Sequence, residues 1–388
     1  MRFRLLALVP LVAVPAVLRL AVWRAAGPVP NDTPRALWVA GQQGAARINE
    51  SGRVELLLGE LRFAQALALD RQRLRLFSLS PAGLEVWSWS GERLAKLAAL
   101  TSPKAPDRGF LAVLESDGSA WVARGQELLH LDAQAVPLGS LLLAEQAQAL
   151  ALDQHSRTLW VGGQTALFPY DAATGTPLPP VSLRTGGPVQ AVSLAEPGLL
   201  WVLAREVLLL LERGEVVWAL PWPGARALAA FPGGVWVLDN RWLSRLGTDG
   251  QVAVQLRVED AAAVRALAAN PRDGSVWLIF PSRARRYSPQ GEVAVELALP
   301  PLGAAETGLL YVDTFPPQLF ITFPRPGSCT NQPRLVVEGE WQEVGTGLDP
   351  ASFTVWQGEQ ALAASCSTTE HRFACELAAT LADGAYPL

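Results

Sequence analysis

One short motif, an aromatic residue set among Leu, Val and Ala, recurs seven times along this chain at nearly even intervals. Six copies are built on tryptophan: Leu37-Trp38-Val39-Ala40, Ala120-Trp121-Val122-Ala123, Leu159-Trp160-Val161-Gly162, Leu200-Trp201-Val202-Leu203, Val235-Trp236-Val237-Leu238 and Val276-Trp277-Leu278-Ile279. The remaining copy, Leu76-Phe77-Ser78-Leu79, carries phenylalanine. Successive aromatics lie 39, 44, 39, 41, 35 and 41 residues apart. A glycine follows by 13 to 15 residues in six copies, at Gly52, Gly91, Gly175, Gly214, Gly250 and Gly291. Pairs such as Ser90-Gly91 and Asp249-Gly250 suit hairpin turns that need positive φ. The third copy has Leu131-Asp132-Ala133-Gln134 in that place instead. Ahead of the aromatics, runs rich in Ala, Leu and Val at 65–69, 110–114, 148–152, 189–194, 226–230 and 264–268 read as strands buried on both faces.

A unit of about 40 residues holding four short strands is the size of one propeller blade. The repeat therefore predicts an all-β chain with a seven-bladed β-propeller over residues 31–315. The first copy has no inner strand before it, while Gly308-Leu309-Leu310-Tyr311-Val312-Asp313 is left over after the seventh. Ring closure follows, the last segment completing the first blade so that no inner edge stays unpaired. The order Gln148-Ala149-Leu150-Ala151-Leu152-Asp153, Leu159-Trp160-Val161-Gly162, Tyr170-Asp171-Ala172-Ala173-Thr174-Gly175 resembles the NHL and YWTN type of repeat propeller. Trp stands where those families usually have Tyr, and their Asn-Arg pair occurs only at Asn240-Arg241. The resemblance covers residues 35–314 and implies a fold, not a function.

Mid-strand tryptophans admit two readings: a stacking platform for sugars, or wedges between neighbouring blades that each bury on the order of 200 Å². Their Val and Leu neighbours favour wedges. Trp87, Trp89, Trp218, Trp222 and Trp242 fall off this register, and Trp222 and Trp242 are the better candidates for exposed contacts. Asp70, Asp153 and Asp313 recur at inner-strand ends and read either as turn caps or as a carboxylate ring for Ca²⁺, with turn preference favouring caps. No motif for zinc hydrolysis, phosphate cradling or a nucleophile elbow occurs, and His130, His155 and His371 are scattered. The expectation is no catalytic residue, no metal and no cofactor. The loops joining second to third strands carry Arg124, Arg205, Asn240-Arg241 and Arg283, with Arg285 and Arg286 close by. These read as a positive rim for a carboxylate, phosphate or acidic glycan, or as ordinary solvated arginines in a chain with only two lysines, Lys96 and Lys104.

Arg2 and Arg4 precede an apolar run over residues 5–18, which Arg19 interrupts. A positive flank ahead of a short apolar stretch reads as an export signal. Pro10, Pro15 and Arg19 argue against a long straight membrane span. Residues 1–30 are expected to form an apolar signal or anchor helix, cleavage being left open. Residues 316–388, from Pro316-Pro317 through Gly347-Leu348-Asp349-Pro350-Ala351-Ser352 to Leu381-Ala382-Asp383-Gly384-Ala385-Tyr386, resemble bacterial Ig-like modules. That resemblance implies a β-sandwich whose last one or two strands are missing, by truncation or by pairing of the open edge elsewhere. Propellers joined to Ig-like modules also resemble the lead-in regions of secreted YD-repeat proteins. Cys366 and Cys375 fit a cross-strand disulfide or two reduced thiols, with Cys329 left over.

Half of the 388 residues are hydrophobic and 18% are charged, which excludes a disordered chain; a mean hydropathy of +0.19 excludes a polytopic membrane protein. A net charge of −4 gives no field for nucleic acid. The expected function is an exported, non-catalytic binding or structural module at the cell envelope or outside the cell. Its partner is a protein or glycan, with membrane anchoring through the N-terminal segment a further option. The alternatives are a propeller enzyme of lactonase or streptogramin-lyase type and an architectural segment of a longer YD-repeat surface protein.

Overall fold

A computed structural model describes residues 18–22, 35–49, 51–98, 108–312, 318–323, 336–342, 353–357, 360–369 and 372–378. The chain divides into two compact units, Pro34–Asp313 and a second comprising Met1–Thr33 with Thr314–Leu388. Both are all-β.

The larger unit holds seven four-stranded antiparallel sheets. Sheets 2 to 7 are meanders whose first strands are Ala66–Asp70, Phe110–Leu114, Ala149–Asp153, Val189–Glu196, Ala227–Phe231 and Ala266–Ala269. Sheet 1 departs from sequence order: Ala305–Val312 pairs with Arg35–Gly41, followed by Ala45–Asn49 and Val54–Leu58. Each aromatic of the repeat lies on the second strand of its sheet. The seven first strands touch their neighbours in cyclic order, Ala305–Val312 meeting both Ala266–Ala269 and Ala66–Asp70.

Packing explains why the aromatic recurs. Trp38 of sheet 1 is buried against Leu76 and Trp87 of sheet 2, and Phe77 of sheet 2 against Val122 and Leu131 of sheet 3. Trp121 sits among Leu159, Val161 and Tyr170, Trp160 among Leu200 and Val202, and Trp201 among Val235 and Val237. Trp236 packs on Val276 and Leu278, and Trp277 returns to Leu37, Val39 and Ile48 of sheet 1. Every ring is driven into the following sheet, so twisted sheets that would splay apart are locked by one large apolar side chain each. Two indoles also find hydrogen-bond acceptors across the junction: Trp121 Nε1 donates to the Ala172 carbonyl at 2.9 Å and Trp236 Nε1 to Gly274 at 2.8 Å.

The turn glycines belong to the same device. Gly175 has φ +74° and Gly214 φ +85°; a methyl group on them would lie 3.1 Å from Trp121 and 3.4 Å from Trp160, both rings coming from the preceding sheet. A turn of that hand and a close indole together select glycine. Sheet 3, which lacks the glycine, makes the turn with Ala135 at φ 61°, while the Asp132 carboxylate accepts from the N–H groups of Gln134 and Val136. Off-register tryptophans divide. Trp218 packs edge-on to Trp201 at 5.2 Å, Trp222 lies partly buried on the same cluster, and Trp242 is 39% exposed.

In the second unit, Gln318–Phe323, Val336–Gln342, Arg372–Leu377 and Ala364–Thr368 form one sheet in that order. Cys366 and Cys375 face each other on its last pair and are joined by a disulfide. A three-stranded sheet joins Leu18–Val22, Phe353–Gln357 and Gln360–Leu362. Where an apolar helix was expected at the N-terminus, Leu18–Val22 is therefore a strand. A five-residue segment with Leu and Val in alternation suits a strand at the edge of that sheet, paired with Phe353–Gln357. Of the expected 1–30 leader, residues 1–17 and 23–30 lie outside the described residues, as do Asp313, Cys329 and the Ig-like motif residues 316–317, 347–352 and 381–386. Among the described residues, no helix is long and apolar enough to cross a membrane.

The wedge account separates two tryptophans sharply. Trp236→Ala should lower the unfolding free energy by about 3–5 kcal/mol, and Trp242→Ala by less than about 1 kcal/mol, as read by urea denaturation. A pH effect attends the third wedge. His130 stacks on Trp121 with centroids 4.1 Å apart, and burial pushes its imidazole below the ordinary value, with Asp117 opposing. The folded state then binds fewer protons, so this contribution is complete above the unfolded value of about 6.5 and is lost as pH falls through the folded one. Stability measured against pH should decline in that window, and His130→Phe should flatten the decline.

Candidate functional site

Register fixes a ring of equivalent positions at one end of the seven first strands. In every sheet, the residue two places beyond the second-strand aromatic pairs with the first strand at Thr307, Ala66, Phe110, Ala149, Ala191, Ala227 or Ala266. The residue just before each of these is, in the same order, Glu306, Gln65, Gly109, Gln148, Gln190, Arg226 and Arg265. Six of the seven are polar, against the Ala and Leu that fill the strands. Their backbones are anchored: the N–H groups of Gln65, Gln148, Arg226 and Arg265 donate to the carbonyls of Leu79, Gly162, Leu238 and Ile279 at 2.7–2.8 Å.

This ring opens onto two adjoining cavities. The larger, about 680 Å³, is lined by Gln65, Gln190, Arg226, Arg265 and Glu306 together with Arg108, Gln42 and apolar neighbours. The smaller, about 570 Å³, shares Arg108, Gln190 and Arg226 and adds Gln146 and Gln148. Arg226 is held by its fork, Nη1 and Nη2 each donating at 3.2 Å to the carbonyls of Ala261 and Ala262. Arg108 leans over the Phe110 ring at 6.0 Å. Glu306 accepts from Gln42 Nε2 at 3.4 Å, and Gln65 Oε1 accepts the Gly109 N–H at 3.3 Å.

Of the five loop residues proposed from sequence, Arg124, Arg205 and Arg283 have other engagements. Arg124 is half-buried, donates to the Ser80 carbonyl at 2.9 Å, and is held below its usual value by burial. Arg205 donates to the Gly186 carbonyl at 3.4 Å from a left-handed backbone with φ 54°. Arg283 pairs with Asp260 at 3.2 Å, approaches Glu296 at 3.7 Å and covers Phe280 at 4.7 Å. Neighbouring Arg285 grips Glu296 with two bonds of 2.9 Å, which raises its own affinity for the proton and lowers that of the carboxyl. Asn240 and Arg241 are exposed, and the Arg241 backbone N–H donates to Asp239 at 2.7 Å. None of these five lines either cavity.

Sequence reading passed over Arg108 and Glu306 and placed Gln65, Gln148, Gln190, Arg226 and Arg265 within the apolar runs. The available signal was positional: a lone polar residue at the same step of six of the seven inner-strand runs, Gly109 taking that place in sheet 3.

The inner-strand aspartates serve the sheets. Buried Asp70 accepts from the Arg73 N–H at 3.1 Å and from its guanidinium at 3.2 Å. Asp153 accepts from the N–H groups of His155 and, in the next sheet, Gly198, both at 2.9 Å. These bonds satisfy the carboxylates as turn caps and as ties between sheets. Among the described residues, no group of three or more His, Cys, Asp or Glu side chains is arranged to hold a metal ion.

No protein-family model matches the chain, and no curated protein matches it. Solved structures do. The chain resembles hydrazine synthase of Kuenenia stuttgartiensis at 11% identity and a TM-score of 0.51, over 59% of this chain and 77% of that one. It also resembles U3-55K at 13% identity and a TM-score of 0.53, over 61% and 82%. Such low identities carry the fold alone. Sheets and structural likeness together define a propeller-like β fold.

If Asp153 is a tie and not a ligand, Asp153→Ala should cost about 1–3 kcal/mol. Millimolar Ca²⁺ should leave the melting temperature of the natural protein unchanged, since a resident ion would raise it by mass action. Differential scanning calorimetry reads both.

Proposed function

We propose that this chain is an exported, non-catalytic binding module: a seven-bladed propeller of NHL/YWTN-like type, closed through Ala305–Val312, followed by an Ig-like module. Cyclic contact of the seven first strands supports the closed ring. A paired sheet and hairpin disulfide support the Ig-like module, and the disulfide favours an oxidising compartment.

The observation that carries the binding role is the mouth. Its polar lining is made of amides and guanidiniums, which recognise and orient ligands; Glu306 is the one carboxylate among the residues lining the two cavities. Proton transfer between substrate atoms calls for an acid and base poised together, whereas forked donors and amides around a concave mouth suit recognition.

Fractionation of expressing cells tests the reading. The tagged chain should appear outside the cytoplasm or in the envelope fraction, with Cys366 and Cys375 linked in peptide mapping under non-reducing conditions. A cytoplasmic protein with both thiols reduced would contradict it.

A further inference from the structure

Charge compensation is uneven across the larger unit. Several of its cationic side chains carry a carboxylate, among them Arg47 with Glu55 at 3.1 Å, Arg73 with Asp70 at 3.2 Å, Arg93 with Glu60 at 3.1 Å, Lys96 with Glu85 at 3.0 Å and Arg285 with Glu296 at 2.9 Å, while others such as Arg75 and Arg245 donate to neutral carbonyls. The three arginines that share the mouth, Arg108, Arg226 and Arg265, have no carboxylate partner among the described residues. Arg226 spends its fork on two neutral carbonyls, and Arg108 rests near a phenyl ring. Glu306, the sole opposing charge in the lining, turns to Gln42. Three exposed like charges around one concavity, in a chain of net charge −4, set up a locally positive field that attracts an anion.

Placement narrows the anion. Arg226 and Arg265 open neighbouring first strands, in sheets 6 and 7, while Arg108 precedes that of sheet 3, on a different arc of the cyclic order. A ligand with two or more oxyanionic groups matches arginines placed on both arcs. A cavity of about 680 Å³ lies within the range that holds a small molecule. Gln148 and Gln190 add neutral amides for the ligand body without weakening the field.

We propose that the mouth binds a small, multiply charged oxyanion, a polycarboxylate or an oligophosphate, held between Arg108 on one side and Arg226 with Arg265 on the other. The proposal rests on the mouth being the ligand surface of the binding module.

Isothermal titration of the full chain at low ionic strength tests it with three probes: citrate, tripolyphosphate and acetate. Citrate or tripolyphosphate should bind with a stoichiometry near one, acetate should not, and whichever of the first two binds tells carboxylate from phosphate. Affinity should fall as NaCl is raised. Arg108→Gln and Arg265→Gln should each weaken binding about tenfold, and Glu306→Gln should strengthen it, a gain that a misfolded variant cannot imitate.

No binding of either polyanion to the natural protein and to Glu306→Gln overturns the proposal, as does undiminished binding to the double variant lacking both Arg108 and Arg265. A neutral oligosaccharide, cellotetraose, is run alongside. If it binds and is lost in Gln190→Trp but not in the arginine variants, the anion claim fails while the module reading stands.

Discussion

The larger unit depends on one repeated contact, an aromatic ring on the second strand of each sheet buried in the sheet that follows. A lone four-stranded meander has an apolar face on each side and cannot stand in water. Joining each to the next by a large rigid side chain solves that problem locally, and returning from Trp277 to Leu37 and Val39 solves it for the whole set. The contact also dictates secondary features. Glycine is required at turns such as Gly175 because the indole of the previous sheet lies against them. Buried aspartates at strand ends find donors in their own turns and in the adjoining sheet, as Asp153 does with Gly198.

With wedging and tying assigned to the sheet interiors, chemistry is displaced to the strand ends. There, six of the seven equivalent positions at the start of the first strands are polar. The scaffold thus gathers side chains far apart in sequence, Arg108, Gln190 and Arg265 among them, around shared cavities. On the function proposed above, that arrangement serves as a surface for recognition, and its charge sets the kind of ligand.

Much of the fold was legible because its signals are local and repeated. Spacing of the aromatics marked the second strands, and turn glycines marked the hairpins, all six with φ between 74° and 91°. The leftover segment around Leu309 gave away the pairing with Arg35–Gly41. The mouth was far less legible. A guanidinium in a sequence does not reveal its partner, and Arg283 and Arg124 looked as available as Arg265 until Asp260 and the Ser80 carbonyl came into contact with them. The strand at Leu18–Val22 was missed for a related reason: it is paired with distant chain, Phe353–Gln357.

Hydrogen exchange on Ala305–Val312 tests the central claim most directly. If that segment completes sheet 1 and links sheet 7 to sheet 2, its amides should exchange as slowly as those of Val189–Glu196, an inner strand formed within its own repeat. Rapid exchange along Ala305–Val312, with the other first strands protected, would mean an open arc of sheets and would contradict the account.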